Sequence, residues 1–436
     1  MVTYILDSTK SEPYYIQIYN YLKRDIEQGT IKTGEKLPSK RALSSHLGVS
    51  VITVENAYGQ LLSEGYIKSI AKKGYFAEEV TVTHYKKSEN KPLRNDDEPE
   101  EKEPENQLFP FSIWAKLMRE ELSYHQEKLL TKPSFQGVYE LRVAICEHLK
   151  KFRNMNVSPN QIVIGAGTEY LYLLIHTLFG GNYTFGVEDP GYEKISHIYE
   201  GQNITCKAIP MTDDGIDIDY LKQTQVDILH ISPSHHFPTG VVTSIGKRYA
   251  LLEWASHSPS RYIIEDDYDS EFRLSGKPIP SMYSIDAIDK VIYMNTFSKS
   301  LASTIRISYM VLPNALLDKF HQATWYYSCT VSTFEQYTLA RFIKEGYFEK
   351  HINRMKKYYK ERRDCLLKEI KNYDIFKYSV VSGENSGLHC VITFDTLLSD
   401  EDLKHTVEQY GFRVGLLKEY YKEKKQIDTH TLIFYY

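Results

Sequence analysis

Short apolar segments alternate with helical stretches from residue 113 onward, and this alternation restricts the fold more than any other feature of the chain. Strands separated by helices pair in parallel, and the helices then cover both faces of the sheet. Ligands bind such sheets at the carboxyl ends of the strands. The sequence therefore predicts an α/β domain with a ligand site along that edge. The predicted strands are 162–164, 183–187, 228–231, 262–265 and 291–294, with two strands of a smaller C-terminal part at 387–394 and 431–436.

The first 77 residues predict a separate unit. Apolar residues spaced by four indicate an amphipathic helix over 14–28. Ser39 and Ser50 are candidate N-caps of two further helices, which end near Leu47 and Glu64. Two short strands follow, on either side of a basic turn. Helix, helix, turn, helix and a two-stranded wing is the order of a winged helix-turn-helix.

Polar and basic side chains of this unit are candidates for contact with double-stranded DNA. Residues at the start of the first capped helix can reach phosphates, and residues at the exposed start of the second can reach base edges. A solvated surface is the alternative, but the order of the elements and the basic turn both favour DNA. The candidates are Lys36, Ser39, Lys40 and Arg41 for phosphates, Ser50, Thr53 and Asn56 for bases, and Lys72 and Lys73 on the wing.

An acidic segment separates the two units. The 436-residue chain has a net charge of −4, which alone argues against a nucleic-acid partner, but the charge is unevenly distributed. Residues 1–76 hold ten Lys+Arg against seven Asp+Glu, whereas residues 77–107 hold five against ten. Periodicity vanishes in the acidic part, which predicts an extended, self-repelling linker. We therefore expect a DNA-binding unit at 1–77, a linker at 78–107 and a ligand-binding unit at 108–436.

Composition argues against several other classes of protein. No apolar run approaches the length of a bilayer span, and the N-terminus lacks a signal-peptide core. The five cysteines are scattered and lack CxxC spacing, which argues against a cysteine zinc site and favours reduced thiols. We therefore expect a globular protein of the cytoplasm.

Two residues at strand ends indicate a site for pyridoxal 5'-phosphate (PLP). Lys299 follows one predicted strand, and Asp266 ends an earlier one. A lysine amine forms a Schiff base with the PLP aldehyde, and a carboxylate keeps the ring nitrogen protonated. Tyr268, two positions after Asp266, could bond the phenolate oxygen of the ring. The alternatives are a surface lysine and a Mg²⁺ site in the acidic run 265–269, which we disfavour because Lys299 explains the same placement with one ligand.

The cofactor hypothesis extends to neighbouring strand ends. A Gly-Ala-Gly-Thr turn joins a strand to a helix, and its free amides, with the Thr168 hydroxyl, would hold a phosphate. Tyr192 could stack on a flat ring, and the loop around His235 and His236 predicts a turn beside the ligand rather than a metal site. Each feature alone fits an ordinary turn or a packing residue equally well, but their joint order along the chain is specific. The further candidate contacts with the cofactor are Gly167, Thr296, Ser298, Arg306 and His236.

Taken together, these segments resemble the MocR/GabR-type subfamily of GntR transcriptional regulators. The resemblance rests on residues 37–41, 47–50 and 57–66 in front, and on 233–240, 263–272 and 296–301 with Arg306 behind. It implies a fold-type I aminotransferase-like PLP domain with a small C-terminal subdomain, and head-to-tail homodimers in which each DNA-binding unit packs on the partner's large domain. The roles it implies are Schiff-base formation for Lys299, the ring nitrogen for Asp266, ring contacts for Tyr192 and Tyr268, and phosphate contact for Arg306.

The chain departs from the subfamily pattern at three places. Lys194 and Lys418 stand at or near positions where the subfamily commonly places arginines that hold an effector carboxylate, and Glu419 would repel one. Lys194, Lys418 and Glu419 are therefore candidate effector contacts, and PLP itself or an amine becomes a candidate effector. In the front unit, Val51 follows Ser50 where the subfamily often has arginine.

The leading prediction is a cytoplasmic, PLP-dependent, DNA-binding regulator. It would sense PLP or a PLP–amine or PLP–amino acid aldimine and control genes of vitamin B6 or of amine and amino-acid metabolism. We expect sensing rather than enzymatic turnover, with a transamination half-reaction left open. The rivals are a PLP-dependent aminotransferase with an accessory N-terminal domain and a DNA-binding protein whose PLP fold serves only dimerisation. Because relatives continue with a helix beyond Tyr436, a shortened chain is also left open.

Overall fold

The computed structural model of the chain describes residues 4–7, 12–80, 108–274, 279–385, 387–422 and 428–436. The chain divides into two compact units, Met1–Glu100 and Glu101–Tyr436. Most of the predicted acidic linker lies outside the described residues, so the domain boundaries at 77 and 107 stay predictions.

The N-terminal unit is a winged helix-turn-helix, as the sequence predicted. Its elements are helices α1 (Tyr14–Glu27), α2 (Lys40–Leu47) and α3 (Val51–Ser63), then strands β1 (Ile67–Ile70) and β2 (Gly74–Ala77), which pair antiparallel. Both predicted caps are present, because the Ser39 and Ser50 hydroxyls accept hydrogen bonds from the amides of Ala42 and Thr53. Gly48 follows α2 with φ +66°, a conformation that favours glycine. These features fix the turn between α2 and α3.

One apolar core holds this unit together. Ile18, Leu22 and Ile26 repeat every four residues along α1 and are all buried, as their spacing predicted. They share a cluster with Val54 and Leu61 from α3. The buried faces of α1 and α3 leave the opposite side of α3 open to solvent.

The larger unit is built on an eight-stranded sheet. Its strands are β3 (Ile162–Gly165), β4 (Phe185–Asp189), β5 (Cys206–Thr212), β6 (Gly215–Ile216), β7 (Ile228–Ile231), β8 (Tyr262–Asp266), β9 (Val291–Thr296) and β10 (Ser308–Val311), in the order β3-β10-β9-β8-β7-β4-β5-β6. Strands β5, β4, β7, β8 and β9 run parallel. The five predicted strands are confirmed. Strands β5, β6 and β10 were not predicted, and β10 is antiparallel to both neighbours.

Helices cover both faces of this sheet, as the alternation of elements predicted. They are α4 (Phe111–Tyr124), α5 (Gln126–Leu130), α6 (Tyr139–Arg153), α7 (Thr168–Phe179), α8 (Glu193–Gly201), α9 (Ile218–Gln223), α10 (Ile245–Ser256), α11 (Met282–Ile285), α12 (Phe297–Ser300), α13 (Asn314–Thr324), α14 (Thr333–Lys344) and α15 (Tyr347–Glu369). Successive strand residues point to opposite faces. Thus Ile162 and Ile164 join one apolar cluster, with α6 and α14, whereas Val163 joins another, with α7 and α13.

A smaller C-terminal part completes the unit. It contains strands β11 (Ser379–Ser382), β12 (His389–Phe394), β13 (Val414–Leu416) and β14 (Thr431–Tyr435), with helix α16 (Asp400–Gln409). The sheet is antiparallel in the order β11-β12-β14-β13. The two strands predicted here correspond to β12 and β14, whereas β11 and β13 were missed. Within the described residues, no helix is both long and apolar enough to cross a bilayer.

Candidate cofactor site and DNA-contact surface

Asp266 is the buried acid at the end of β8, and one of its two oxygens lacks a partner. Its Oδ2 accepts a hydrogen bond from the Tyr172 hydroxyl at 2.8 Å and lies 3.4 Å from His230 Nε2. Its Oδ1 is buried and has no hydrogen-bond partner among the described residues. A buried, unpaired carboxylate oxygen is costly, so the geometry calls for a donor from a ligand. A protonated pyridine nitrogen fits this requirement.

A layer of polar side chains that the sequence did not reveal supports Asp266. Tyr172 comes from α7, His230 from β7 and Tyr199 from α8, whose hydroxyl lies 3.0 Å from His230 Nδ1. Burial, together with the charge of Asp266, raises the pKa of Tyr172 well above its usual value. Tyr172 therefore remains a hydrogen-bond donor to the carboxylate.

Lys299 lies in the short helix α12, which begins directly after β9. Because Asp266 pairs with Met294 across β8 and β9, Lys299 follows five residues beyond, at the same edge of the sheet. The hydroxyl oxygen of Thr296 accepts hydrogen bonds from the Ser298 amide at 3.1 Å and from the Ser308 hydroxyl at 2.8 Å. These bonds fix the turn that carries Lys299, while the side chain of Lys299 itself is exposed.

Thr296 and Ser298 therefore have a structural role in the turn. Thr296 is buried, and the Ser298 hydroxyl donates to the Ile305 carbonyl at 3.1 Å. Their predicted contacts with the cofactor stay predictions.

The predicted phosphate turn joins β3 to α7, and Arg306 lies against it. Gly167 has φ +88°, and a side chain there would bring its Cβ to 2.5 Å from Arg306 Nη2. The turn before α7 and the Arg306 guanidinium therefore pack closely side by side. Helix starts and arginines both favour anions. The geometry fits a phosphate.

Glu169, which the sequence analysis did not single out, lies between the two cations Arg306 and Lys194. Its carboxylate accepts a hydrogen bond from Arg306 at 2.6 Å and also pairs with Lys194. Burial acts to raise the pKa of Glu169, but the hydrogen bond from Lys194 and the charge of Arg306 bring that pKa below its usual value. Lys194 was predicted to contact the effector and Arg306 to contact the phosphate of the cofactor. Both side chains bind the same carboxylate, that of Glu169.

Two tyrosines, Tyr192 and Tyr268, were predicted to contact the ring of the cofactor, and their surroundings differ. Tyr192 follows β4 and is 47% exposed, with its ring edge-on to Phe237 at a centroid distance of 6.0 Å. Tyr268 follows β8, and its hydroxyl lies 3.3 Å from His235 Nδ1. Burial, reinforced by the charge of Asp269, raises the pKa of Tyr268 well above its usual value. Tyr268 can therefore donate to a phenolate oxygen.

The His235–His236 loop is a rigid turn. His236 is buried, its Nδ1 lies 2.7 Å from the Thr239 hydroxyl, and its carbonyl accepts from the Gly240 amide. Burial lowers the pKa of His236 to about 3 and raises the pKa of Glu188 to about 8. Burial thus favours the neutral form of both side chains, which lie 3.5 Å apart.

The acidic run after β8 is divided among separate partners. Glu265 accepts from two backbone amides at the start of α11, and Asp267 pairs with Arg153 at 2.7 Å. Asp269 lies 2.8 Å from His235 Nδ1. Among the described residues no group of three or more His, Cys, Asp or Glu side chains could hold a metal ion. Glu265, Asp267 and Asp269 thus each have a partner within the protein.

The predicted effector residues near the C-terminus face different surroundings. Lys418 pairs with Glu401 at 2.7 Å on α16, and Glu419 is exposed. The cleft beside Tyr192 is instead lined by Tyr420 and Lys422. The effector roles of Lys418 and Glu419 stay predictions, and Lys422 is a cleft residue that the sequence did not single out.

In the N-terminal unit the predicted DNA contacts fall into two groups. Ser39, Ser50 and Thr53 have their hydroxyls in hydrogen bonds that form the helix caps, and Lys40 pairs with Glu55 at 2.5 Å. The other candidates are exposed on the surface: Lys36, Arg41, Asn56, Lys72 and Lys73.

Comparison with known proteins identifies both units. Residues 14–76 match the model for bacterial regulatory proteins of the gntR family, and residues 103–421 match aminotransferase class I and II. The uncharacterized HTH-type transcriptional regulator YdeL of Bacillus subtilis (strain 168) is 37% identical over 442 residues, which cover 99% of this chain and 95% of YdeL. The chain belongs to the MocR-type subfamily of GntR regulators.

Other similar proteins agree with this assignment. The probable rhizopine catabolism regulatory protein MocR of Rhizobium meliloti is 29% identical, covering 93% of this chain and 87% of its own length. The pyridoxine biosynthesis transcriptional regulator PdxR of Corynebacterium glutamicum is 28% identical, covering 93% and 88%. The crystal structure of multiple substrate aminotransferase from Thermococcus profundus matches with a TM-score of 0.66 at 25% identity, covering 76% of this chain and 83% of that one. The predicted MocR-type regulator with a PLP cofactor is confirmed.

Proposed function

We propose that this MocR-type regulator senses PLP, alone or together with an amine, and so controls genes of vitamin B6 or amine metabolism. When bound, PLP supplies an aldehyde that condenses with amines and a ring that withdraws electrons. In our proposal the Lys299 amine holds the aldehyde end, and Asp266 holds the protonated ring nitrogen. Tyr268 would donate to the phenolate oxygen, and Tyr192 would cover the ring.

The unpaired Oδ1 of Asp266 is the observation that carries this proposal. Tyr172 and His230 occupy only the other oxygen and orient the carboxylate. A ligand with a neutral, donor-free edge would leave Oδ1 unsatisfied, whereas a pyridinium N–H satisfies it.

The phosphate end suggests how occupancy is signalled. In this proposal, a phosphate bound by the α7 amides and Arg306 competes with Glu169 for that guanidinium. Glu169 would then be held by Lys194 alone, or would turn away. Cofactor binding would therefore change a contact between α7 and α8, the helix that follows Tyr192. A ligand shifts a conformational equilibrium only through such differential contacts.

The surroundings of the cleft favour an amine over a carboxylate as the effector. Lys422, which lines the cleft, is already paired with Glu200 at 2.6 Å, and Lys194, which does not line it, is paired with Glu169. A carboxylate effector would have to share the Lys422 ammonium with Glu200. The cleft is instead lined by aromatic rings and by carboxyl groups, namely Tyr192, Phe237, Tyr420, Glu188 and Glu193, and aromatic faces attract cations.

Further parts of the proposal follow the subfamily. We propose a head-to-tail homodimer that acts in the cytoplasm on a double-stranded operator. Residual transamination is a second candidate activity, because the large unit matches the aminotransferase class I and II model. Repeated turnover with an amino donor and a keto acid would favour the enzyme, whereas a single half-reaction fits sensing.

A spectroscopic titration tests the proposal. The full-length protein, titrated with PLP, should develop a visible absorbance band that the Lys299→Ala variant does not develop. Lys360→Ala, which removes an exposed lysine on α15, is the matched control and should bind like the unmodified protein. Footprinting at a stated salt concentration should then show DNA protection that changes on addition of PLP. The proposal would be contradicted if Lys299→Ala and Lys360→Ala developed equal absorbance bands, or if the DNA protection were the same with and without PLP.

A further inference from the structure

The start of α3 exposes two branched aliphatic side chains to solvent. Val51 is 41% exposed and Ile52 is 68% exposed, and both lie in the first turn of the helix. In a winged helix-turn-helix the second helix of the motif enters the major groove, and its N-terminal residues meet the base edges. Single exposed apolar residues are common on surfaces. Val51 and Ile52, adjacent in the first turn of α3, form an apolar patch on the surface that faces DNA in this class of motif.

The polar groups around this patch are largely engaged within the protein. The Ser50 hydroxyl accepts from the Thr53 amide at 3.1 Å and lies 2.8 Å from the Thr53 hydroxyl. Glu55 is held by Lys40. Asn56 is exposed to solvent. Of the polar side chains at the start of α3, Asn56 is therefore the one ready to read a base.

The spacing along α3 places these groups side by side. Ile52 and Asn56 are four residues apart and share one face of the helix. Gly59 lies one turn further along that face. A Cβ atom added at Gly59 would have no other atom within 4 Å, so the surface there is open. The exposed cations Arg41, Lys72 and Lys73 belong to the same unit and suit the phosphates on either side of a groove.

We propose that this regulator reads its operator through thymine methyl groups contacted by Val51 and Ile52, next to an adenine bound by the Asn56 amide. Thymine is the base that presents a methyl group in the major groove, and an asparagine amide pairs with the N6 and N7 edge of adenine. The inference rests on the DNA-binding function proposed above and specifies which bases that function selects.

The test uses the full-length protein and random-sequence duplexes. Repeated selection for binding should return sites that contain thymine next to adenine in each half-site. Probes with deoxyuridine in place of each selected thymine then remove one methyl group at a time. We expect binding to weaken by about fourfold for each contacted thymine, as loss of one buried methyl group predicts. The double variant Val51→Ala with Ile52→Ala should bind the two kinds of probe equally.

Controls separate this inference from the general function. Ile5→Ala removes a side chain that is 81% exposed elsewhere in the unit and should leave the thymine preference unchanged. Selection that returns no sequence would overturn both the specific DNA-binding function and the methyl contacts. Selected sites in which deoxyuridine changes the affinity by less than twofold, or changes it equally in the double variant, would overturn the methyl contacts and leave the function standing. The deoxyuridine arm on the unmodified protein requires no variant to fold.

Discussion

Two carboxylates of the candidate cofactor site, Asp266 and Glu169, differ in how the protein holds them. Asp266 is buried, oriented by Tyr172 and His230, and left with one free oxygen. Glu169 is less buried and already held by two cations, Arg306 and Lys194. The proposed ring end is thus organised in advance for a ligand, whereas at the proposed phosphate end Arg306 is already paired with the protein's own carboxylate. A sensor needs a preorganised group that gives affinity and a second group whose contacts change when the ligand binds. In our account Asp266 is the first, and the Arg306–Glu169 pair is the second.

The largest expected effect is at the ring end. Asp266→Ala removes the acceptor for the ring nitrogen, and we expect PLP to bind about 100-fold more weakly, in line with the loss of a buried, charge-assisted hydrogen bond. Fluorescence or absorbance titration measures the affinity, and circular dichroism checks folding. Asp318→Ala, on the exposed face of α13, is the control. Unchanged affinity in Asp266→Ala would mean that this acid does not face the ring.

A smaller effect is expected from the layer behind Asp266. Tyr172→Phe removes the 2.8 Å hydrogen bond to Oδ2 and leaves the ring of residue 172 in place. The carboxylate then loses its orientation, and we expect PLP affinity to fall by about tenfold. Tyr249→Phe, at an exposed tyrosine of α10, should have no effect. Equal titration curves for Tyr172→Phe and the unmodified protein would show that this layer does not support the cofactor.

At the proposed phosphate end we expect a substitution to raise the affinity for PLP rather than lower it. Glu169→Gln frees Arg306 from its carboxylate, so we expect PLP to bind about two- to fivefold more tightly, the range for a partly exposed ion pair. The response of DNA protection to PLP should shrink in the same variant, because the contact that changes is gone. Glu335→Gln on α14 is the matched control. Weaker binding in Glu169→Gln would contradict the competition between this carboxylate and the phosphate.

A separate prediction concerns stability and pH rather than ligand affinity. Burial raises the pKa of Glu188 from 4.5 to about 8, so the folded state holds its proton more tightly than the unfolded state does. Between these two pH values the unfolded chain has released a proton that the folded protein retains, so the free energy of unfolding falls as pH rises. Glu188→Gln should flatten this fall in thermal unfolding curves between about pH 5 and 8. An unaltered pH profile would show that Glu188 is ionised in the folded protein.

The sequence predicted those parts of the fold and site that depend on local pattern. Asp266 ends one strand with a clear apolar run and Lys299 follows another, and Ser39 and Ser50 occupy cap positions with recognisable neighbours. Each of these residues could therefore be assigned from the few residues around it.

The supporting side chains depend on packing between distant segments, which local pattern does not record. Tyr172 is one of 36 tyrosines and reaches Asp266 only because α7 packs beside β8. His230 lies inside an apolar strand, where alternation alone gives no reason to expect an imidazole at a functional edge. Strand β10 is four residues long and antiparallel, so the alternation of helices and parallel strands could not predict it.

The most direct test of the account compares PLP with an analogue in which a carbon replaces the ring nitrogen. If the free oxygen of Asp266 receives the pyridinium N–H, the unmodified protein should bind PLP at least tenfold more tightly than the analogue, and Asp266→Asn should remove most of that difference. Equal affinity of the unmodified protein for the two compounds would contradict the central claim, because the buried carboxylate would then have no part in recognising the ring.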